Sequence, residues 1–124
     1  MQKGSSSSVR IFYPEFDQGR ILSIIAQRLG ELESRLPLVR VVLFGSYAKE
    51  NYTVGSDVDL LVVYHGKRRD DAFALVKHVF DIPRLEPHIY TQEEYAEIQG
   101  TLSKMTADGI VCFQKREQAC QKLA

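Results

Sequence analysis

The sequence predicts an α/β (α+β) domain in which a small β-sheet is flanked by helices, and three observations predict it. Two apolar runs rich in β-branched residues, Leu38 to Phe44 and Asp57 to Tyr64, read as buried strands. Three longer stretches repeat apolar residues at three- and four-residue spacing, the mark of a helix with one buried stripe. These patterns alternate along 124 residues, enough for one domain with a real core and too few for two.

Asp17 is placed to cap a first helix carrying Ile21, Ile24, Ile25, Leu29, Leu32 and Leu36, which Pro37 ends. Arg20, Arg28, Glu31, Glu33 and Arg35 fall mostly off that stripe and form its solvated side. The first strand runs into Gly45-Ser46, where Ser46 reads as the cap of a short helix or turn over Tyr47 to Asn51. In the second strand, period two puts Asp57 and Asp59 on one face and Val58, Leu60 and Val62 on the other. After a polar turn, His65 to Arg69, a helix capped by Asp70 or Asp71 turns Phe73, Val76, Val79 and Phe80 inward.

Arg84 to Tyr90 reads as a third strand, with Glu86, His88 and Tyr90 pointing one way and Leu85 and Ile89 the other. Pro87 has no N–H for a ladder, so this strand belongs at an edge or is irregular there. Thr91 and Glu94 form a capping box for a last helix with Tyr95, Ile98, Leu102 and Met105 on one stripe. Asp108-Gly109 ends it, and Ile110 to Phe113 read as a final strand. The expected organisation is a partly disordered segment over 1–15, a domain over 16–113 and a tail over 114–124.

Composition narrows the function classes. Hydrophobic residues make up 44% and charged residues 26%, the balance of an ordinary soluble domain. Sixteen basic residues offset sixteen acidic ones, so no net positive field draws the chain to nucleic acid, which is not expected as a partner. No apolar run has transmembrane length and no signal-peptide pattern occurs, so the expectation is the cytoplasm and no membrane partner. Cys112 and Cys120 lack metal or redox spacing and read as free thiols.

The acids of the second strand are the anomaly. Ionised groups at the mouth of a buried strand call for a partner, and two carboxylates on one face suit a hard divalent cation, Mg²⁺ or Mn²⁺. Mg²⁺ keeps water and phosphate ligands, so a site with few protein ligands is what nucleotide chemistry requires. Glu86, on a neighbouring strand, is the best candidate for a third carboxylate. The Gly45-Ser46 break offers free backbone N–H groups to an anion. An isolated Asp-any-Asp is most simply a turn, and Gly-Ser a plain strand-to-helix turn. In the order strand, Gly-Ser, polar segment, Asp-any-Asp strand, they point to a metal–polyphosphate ligand.

Gly45-Ser46, ten residues, then Asp57-Val58-Asp59 resembles the signature of the minimal nucleotidyltransferases, small members of the DNA polymerase β-like superfamily. LFGSYAK, SDVDLLVVY and Leu85 to Thr91 are similar to the same family, so the resemblance covers about Leu38 to Tyr90. It implies the polymerase β-like fold, a small mixed sheet flanked by helices. It also implies that Gly45 and Ser46 hold the β- and γ-phosphates; Lys49 reads either as a residue that steadies a phosphate or as a solvated lysine. Asp57, Asp59 and Glu86 would bind two metals, with Glu86 helping to deprotonate the acceptor. The implied reaction is transfer of a nucleoside monophosphate, above all AMP from ATP, to a hydroxyl. Small members commonly pair with a HEPN-type protein as antitoxin and toxin, the transferase modifying a partner tyrosine. Two alternatives stay open: a non-catalytic nucleotide-binding subunit that regulates such a partner, and transfer to a small molecule such as an aminoglycoside, with a homo-oligomer completing the pocket.

One departure stands out. Glu50 occupies a position where the family often has glycine; a left-handed backbone there would strain it, and the expectation is that it points to solvent. Lys67, Arg68 and Arg69 could line an acceptor surface or form a solvated turn, His88 reads as a structural or supporting histidine near the acids, and Tyr47 and Tyr52 as packing residues.

Overall fold

The computed structural model describes residues 17–53 and 55–115. The expected segment over 1–15, Cys120 and nearly all of the tail lie outside the described residues. The elements follow one another as α1 (Gln18–Arg35), β1 (Leu38–Phe44), α2 (Ser46–Lys49), β2 (Val58–Tyr64), α3 (Ala72–Phe80), β3 (Leu85–Thr91), α4 (Gln92–Met105) and β4 (Ile110–Gln114).

The sheet is mixed, in the order β3-β2-β1-β4. β1 pairs antiparallel with β2, Phe44 standing opposite Asp59, and antiparallel with β4. β2 and β3 run parallel with Asp59 opposite Glu86 and Leu61 opposite His88. A parallel pair needs a crossover, and α3 supplies it. Pro87 accordingly sits on an edge strand, where its missing N–H leaves the β2 ladder intact.

Local chemistry sets the helix ends. The Asp17 carboxylate accepts from the Arg20 N–H at 2.8 Å, and α1 stops before Pro37. Thr91 and Glu94 make the full capping box, Oγ1 accepting from Glu94 N at 3.1 Å and the carboxylate accepting from Thr91 N at 2.9 Å. Asp71 sits at the α3 cap with no side-chain bond there, because its carboxylate pairs with Arg69 instead.

α1 and α3 cover one face of the sheet, burying Ile21, Ile25, Leu32, Leu36, Val76 and Phe80 against Val41, Leu43, Val58, Leu60 and Val62. The opposite face buries Val42, Phe44, Leu61 and Val63 with Leu102 of α4. Two expectations fail here. Phe73 is exposed, since α3 turns Ala72, Val76, Val79 and Phe80 to the sheet and leaves Phe73 beside Lys77. Ile98 and Met105 are exposed as well: the backbone at Ile98 leaves helical geometry, and the kink breaks the stripe after Tyr95, leaving Leu102 as the buried contact of α4.

Candidate active site

The site is built where β1 ends and β2 begins. Gly45 has φ 77 and ψ −152, a backbone that a β-carbon rarely adopts, and it caps α2 without a side-chain bond. Gly45, rather than Ser46, is therefore the cap; Ser46 is already the first helical residue. The glycine is required for a second reason. A β-carbon there would lie 2.5 Å from Oδ2 of Asp59, so the turn and the acid are in contact. Register explains the meeting, because Phe44 of β1 faces Asp59 across the antiparallel pair.

Asp59 points to the α4 face, as alternation requires, while Val58, Leu60 and Val62 join the α1/α3 core. His88, two residues on from Glu86 in β3, places Nε2 3.3 Å from Oδ1 of Asp59. Its ring packs against Phe44, centroids 5.0 Å apart at 60°. The expectation that His88 supports the acids therefore matches the geometry. Asp57 lies just ahead of β2 and pairs with Arg84, Oδ1 to Nη2 at 3.2 Å.

Glu86 is exposed on the edge strand, directly across from Asp59. Among the described residues no three His, Cys, Asp or Glu side chains converge closely enough to hold a metal by themselves. The oxygen that Asp59 presents beside Gly45 is of the hard kind that suits Mg²⁺ or Mn²⁺ rather than a soft metal.

The surrounding residues divide clearly. Tyr47 is buried and stacks on Tyr52 at 4.2 Å, and burial raises its phenol pKa above the ordinary value. Gln18 of α1 ties this layer down by donating from Nε2 to the Tyr47 and Ala48 carbonyls at 2.9 and 3.2 Å. Both tyrosines are thus packing residues. Lys49 is exposed at the last turn of α2. Glu50 is exposed and left-handed, φ 61 and ψ 28, so it does carry the strain that glycine would avoid.

Lys67, Arg68 and Arg69 follow the far end of β2, away from the acids. Arg68 pairs with Glu94 at 3.1 Å, and Arg69 with Asp71 at 2.9 Å and with the Arg35 carbonyl at 2.7 Å, so these two arginines brace the turn. Sequence reasoning missed Arg84. Its signal was available: Arg84 shares the parity of Glu86 and His88 on the approach to β3.

With this geometry in view, known proteins give the family. A model described as a nucleotidyltransferase domain matches residues 22–117. The chain belongs to the nucleotidyltransferase-domain family. The domain is similar in structure to a Sulfolobus solfataricus protein described as a candidate nucleotidyltransferase, at 26% identity and TM-score 0.55, covering 82% of this chain and 86% of that one. It shares its fold with a chain of a toxin–antitoxin complex with AMP-PNP, at 14% identity and TM-score 0.53, covering 74% and 75%. A chain of the toxin–antitoxin pair MntA-HpeT has the same fold, at 12% identity and TM-score 0.51, covering 82% and 77%. No curated protein matches the chain. The nucleotidyltransferase domain has the polymerase β-like fold, and no described helix is long and apolar enough to cross a membrane.

Proposed function

We propose that this nucleotidyltransferase domain transfers AMP from ATP to a hydroxyl, and that the acceptor is a tyrosine of a HEPN-type protein to which it acts as antitoxin in the cytoplasm. The contact between the Gly45 turn and the Asp59 carboxylate carries this reading, because it puts an anion-holding backbone against a cation-holding acid. The fold shared with chains of two toxin–antitoxin complexes, one with AMP-PNP, supports the choice of partner and nucleotide.

Gly45 and Ser46 would hold the β- and γ-phosphates, with Lys49 at the margin. The acceptor oxygen forms a bond to the α-phosphorus in line with the departing oxygen. The α–β phosphoanhydride breaks, pyrophosphate leaves with the bonding pair, and the hydroxyl proton passes to the Glu86 carboxylate or to water. Mg²⁺ or Mn²⁺ held by Asp57, Asp59 and Glu86 would supply charge stabilisation for the attacking and leaving oxygens.

The test is to incubate the protein with ATP, Mg²⁺ and the product of the adjacent gene, and to weigh the partner intact. A mass gain of one AMP on a tyrosine, absent with Asp57→Asn, is the expected result; no gain, or an equal gain with that variant, overturns it. A second reading, a non-catalytic nucleotide-binding regulatory subunit, draws on the contacts of Asp57 with Arg84 and of Asp59 with His88, which engage both acids from within the chain. Mg²⁺-independent ATP binding, with partner inhibition surviving loss of both aspartates, would favour it. Transfer to a small molecule would appear as a labelled acceptor with no partner present.

A further inference from the structure

Arg84 lies outside every strand and helix, immediately before β3. Its backbone is left-handed, φ 62, where a β-carbon crowds the chain. Such a conformation persists only where the surroundings over-determine it. Here they do so through one target, the segment leading into β2. The guanidinium donates to the Gly55 carbonyl at 2.6 Å and the Ser56 carbonyl at 3.3 Å, and it pairs with the Asp57 carboxylate at 3.2 Å. The Arg84 carbonyl accepts from Val58 N at 2.9 Å, so the same residue grips both sides of Asp57.

Within this segment the bonds are local, Thr53 N to Ser56 Oγ at 2.8 Å and Ser56 N to Thr53 O at 3.1 Å. Asp57 precedes the first paired residue of β2, and its side chain is 56% exposed, so the ladder does not fix its carboxylate. Asp59, by contrast, sits within β2 and against Gly45. The planar fork of an arginine suits this task, since it can bind two carbonyls and a carboxylate at once.

We propose that Arg84 is the positioning residue for Asp57: it clamps residues 55–57 so that this carboxylate is presented at the mouth of β2. The inference deepens the proposed function, in which Asp57 is a metal ligand, but the clamp stands on its own contacts. Arg84→Gly separates the two roles of the residue, because glycine accepts the left-handed backbone while removing the guanidinium. Arg84→Lys keeps the charge and loses the fork.

Three quantities decide the matter: amide hydrogen exchange at Ser56, Asp57 and Val58, Mn²⁺ affinity by calorimetry without nucleotide, and the thermal midpoint. With Arg84→Gly, exchange at these amides should accelerate and Mn²⁺ binding weaken about tenfold, the scale of losing an outer-shell partner, while the midpoint does not fall. Arg84→Lys should recover part of the affinity. Unchanged exchange overturns the clamp, as does unchanged or tighter Mn²⁺ binding, which would make the guanidinium a mere rival of the cation. A lower midpoint with unchanged exchange overturns it in favour of a structural role. If the wild type binds no Mn²⁺, the metal-dependent reading fails, and the exchange rates alone uphold or overturn the clamp.

Discussion

The face of the sheet under α1 and α3 and the face under α4 are built from the same strands, yet they serve different ends. On the first, two helices bury Ile21, Ile25, Leu32, Val76 and Phe80 on an apolar surface that admits no charge. On the second, Leu102 and the half-buried Tyr95 cover Val42, Phe44, Leu61 and Val63, and beyond Phe44 the face opens to water. Asp59 sits at that opening, 29% exposed. Alternation along β2 can place a carboxylate on either face, but only on the thinly covered one does it keep contact with water and stand within reach of a ligand. The comparison teaches that this domain keeps its larger core on one side of the sheet and Asp59, an acid of the candidate site, on the other.

Truncations of equal chemistry give the largest expected difference. Leu32→Ala in α1 should cost about 4 kcal/mol, and Leu102→Ala in α4 about 2 kcal/mol, because neighbours of a thin cluster can relax into the void. Denaturant unfolding of both variants checks it, and equal costs would break the contrast. Gly45→Ala comes next. It combines strain with a clash against Asp59, and should lower stability by about 2–3 kcal/mol while abolishing nucleotide binding in calorimetry. Retained binding would mean that the turn and the acid are not coupled.

The α4 capping box sharpens the comparison from the thin side, since it fixes where that helix starts. Thr91→Ala should cost about 1 kcal/mol by thermal unfolding. Glu94 is held below the usual carboxylate range first by the Thr91 N–H and then by Arg68. A lowered folded pKa means stability that is present above the unfolded glutamate range and lost as pH falls through the folded value. Glu94→Gln should therefore cost about 0.5 kcal/mol at neutral pH, and the difference should shrink toward zero in acid. The smallest effect is a gain: Glu50→Gly relieves a left-handed glutamate and should stabilise by about 0.5–1 kcal/mol.

Much of the candidate site is legible in the sequence alone. Asp57 and Asp59 stood out because charge interrupts an apolar run, and Gly45 because a glycine ends it. The fold was legible for the same reason, since strands and helices announce themselves by local period. Phe73, Ile98 and Met105 misled because an apolar residue at helical spacing does not say how wide the covered stripe is. Arg84 escaped because its partners, Gly55, Ser56 and Asp57, lie on another approach to the sheet, and its parity with Glu86 and His88, the one signal it carries, does not name them.

By itself, the sequence determined the elements, the caps at Asp17 and Thr91, and that Asp59 lies on the face of β2 opposite Val58, Leu60 and Val62, since each follows from a period of two or 3.6 residues and the chemistry of adjacent groups. Only the tertiary structure decided which strands pair and in what register. The parallel register of β2 and β3 puts Glu86 opposite Asp59 and His88 opposite Leu61. It also decided that Glu50 and Arg84 are left-handed, and that a β-carbon at Gly45 would collide with Asp59. The physical reason is common to all of these. Pairing, backbone strain and close approach arise between segments distant along the chain, and a local pattern carries no information about what will stand opposite it.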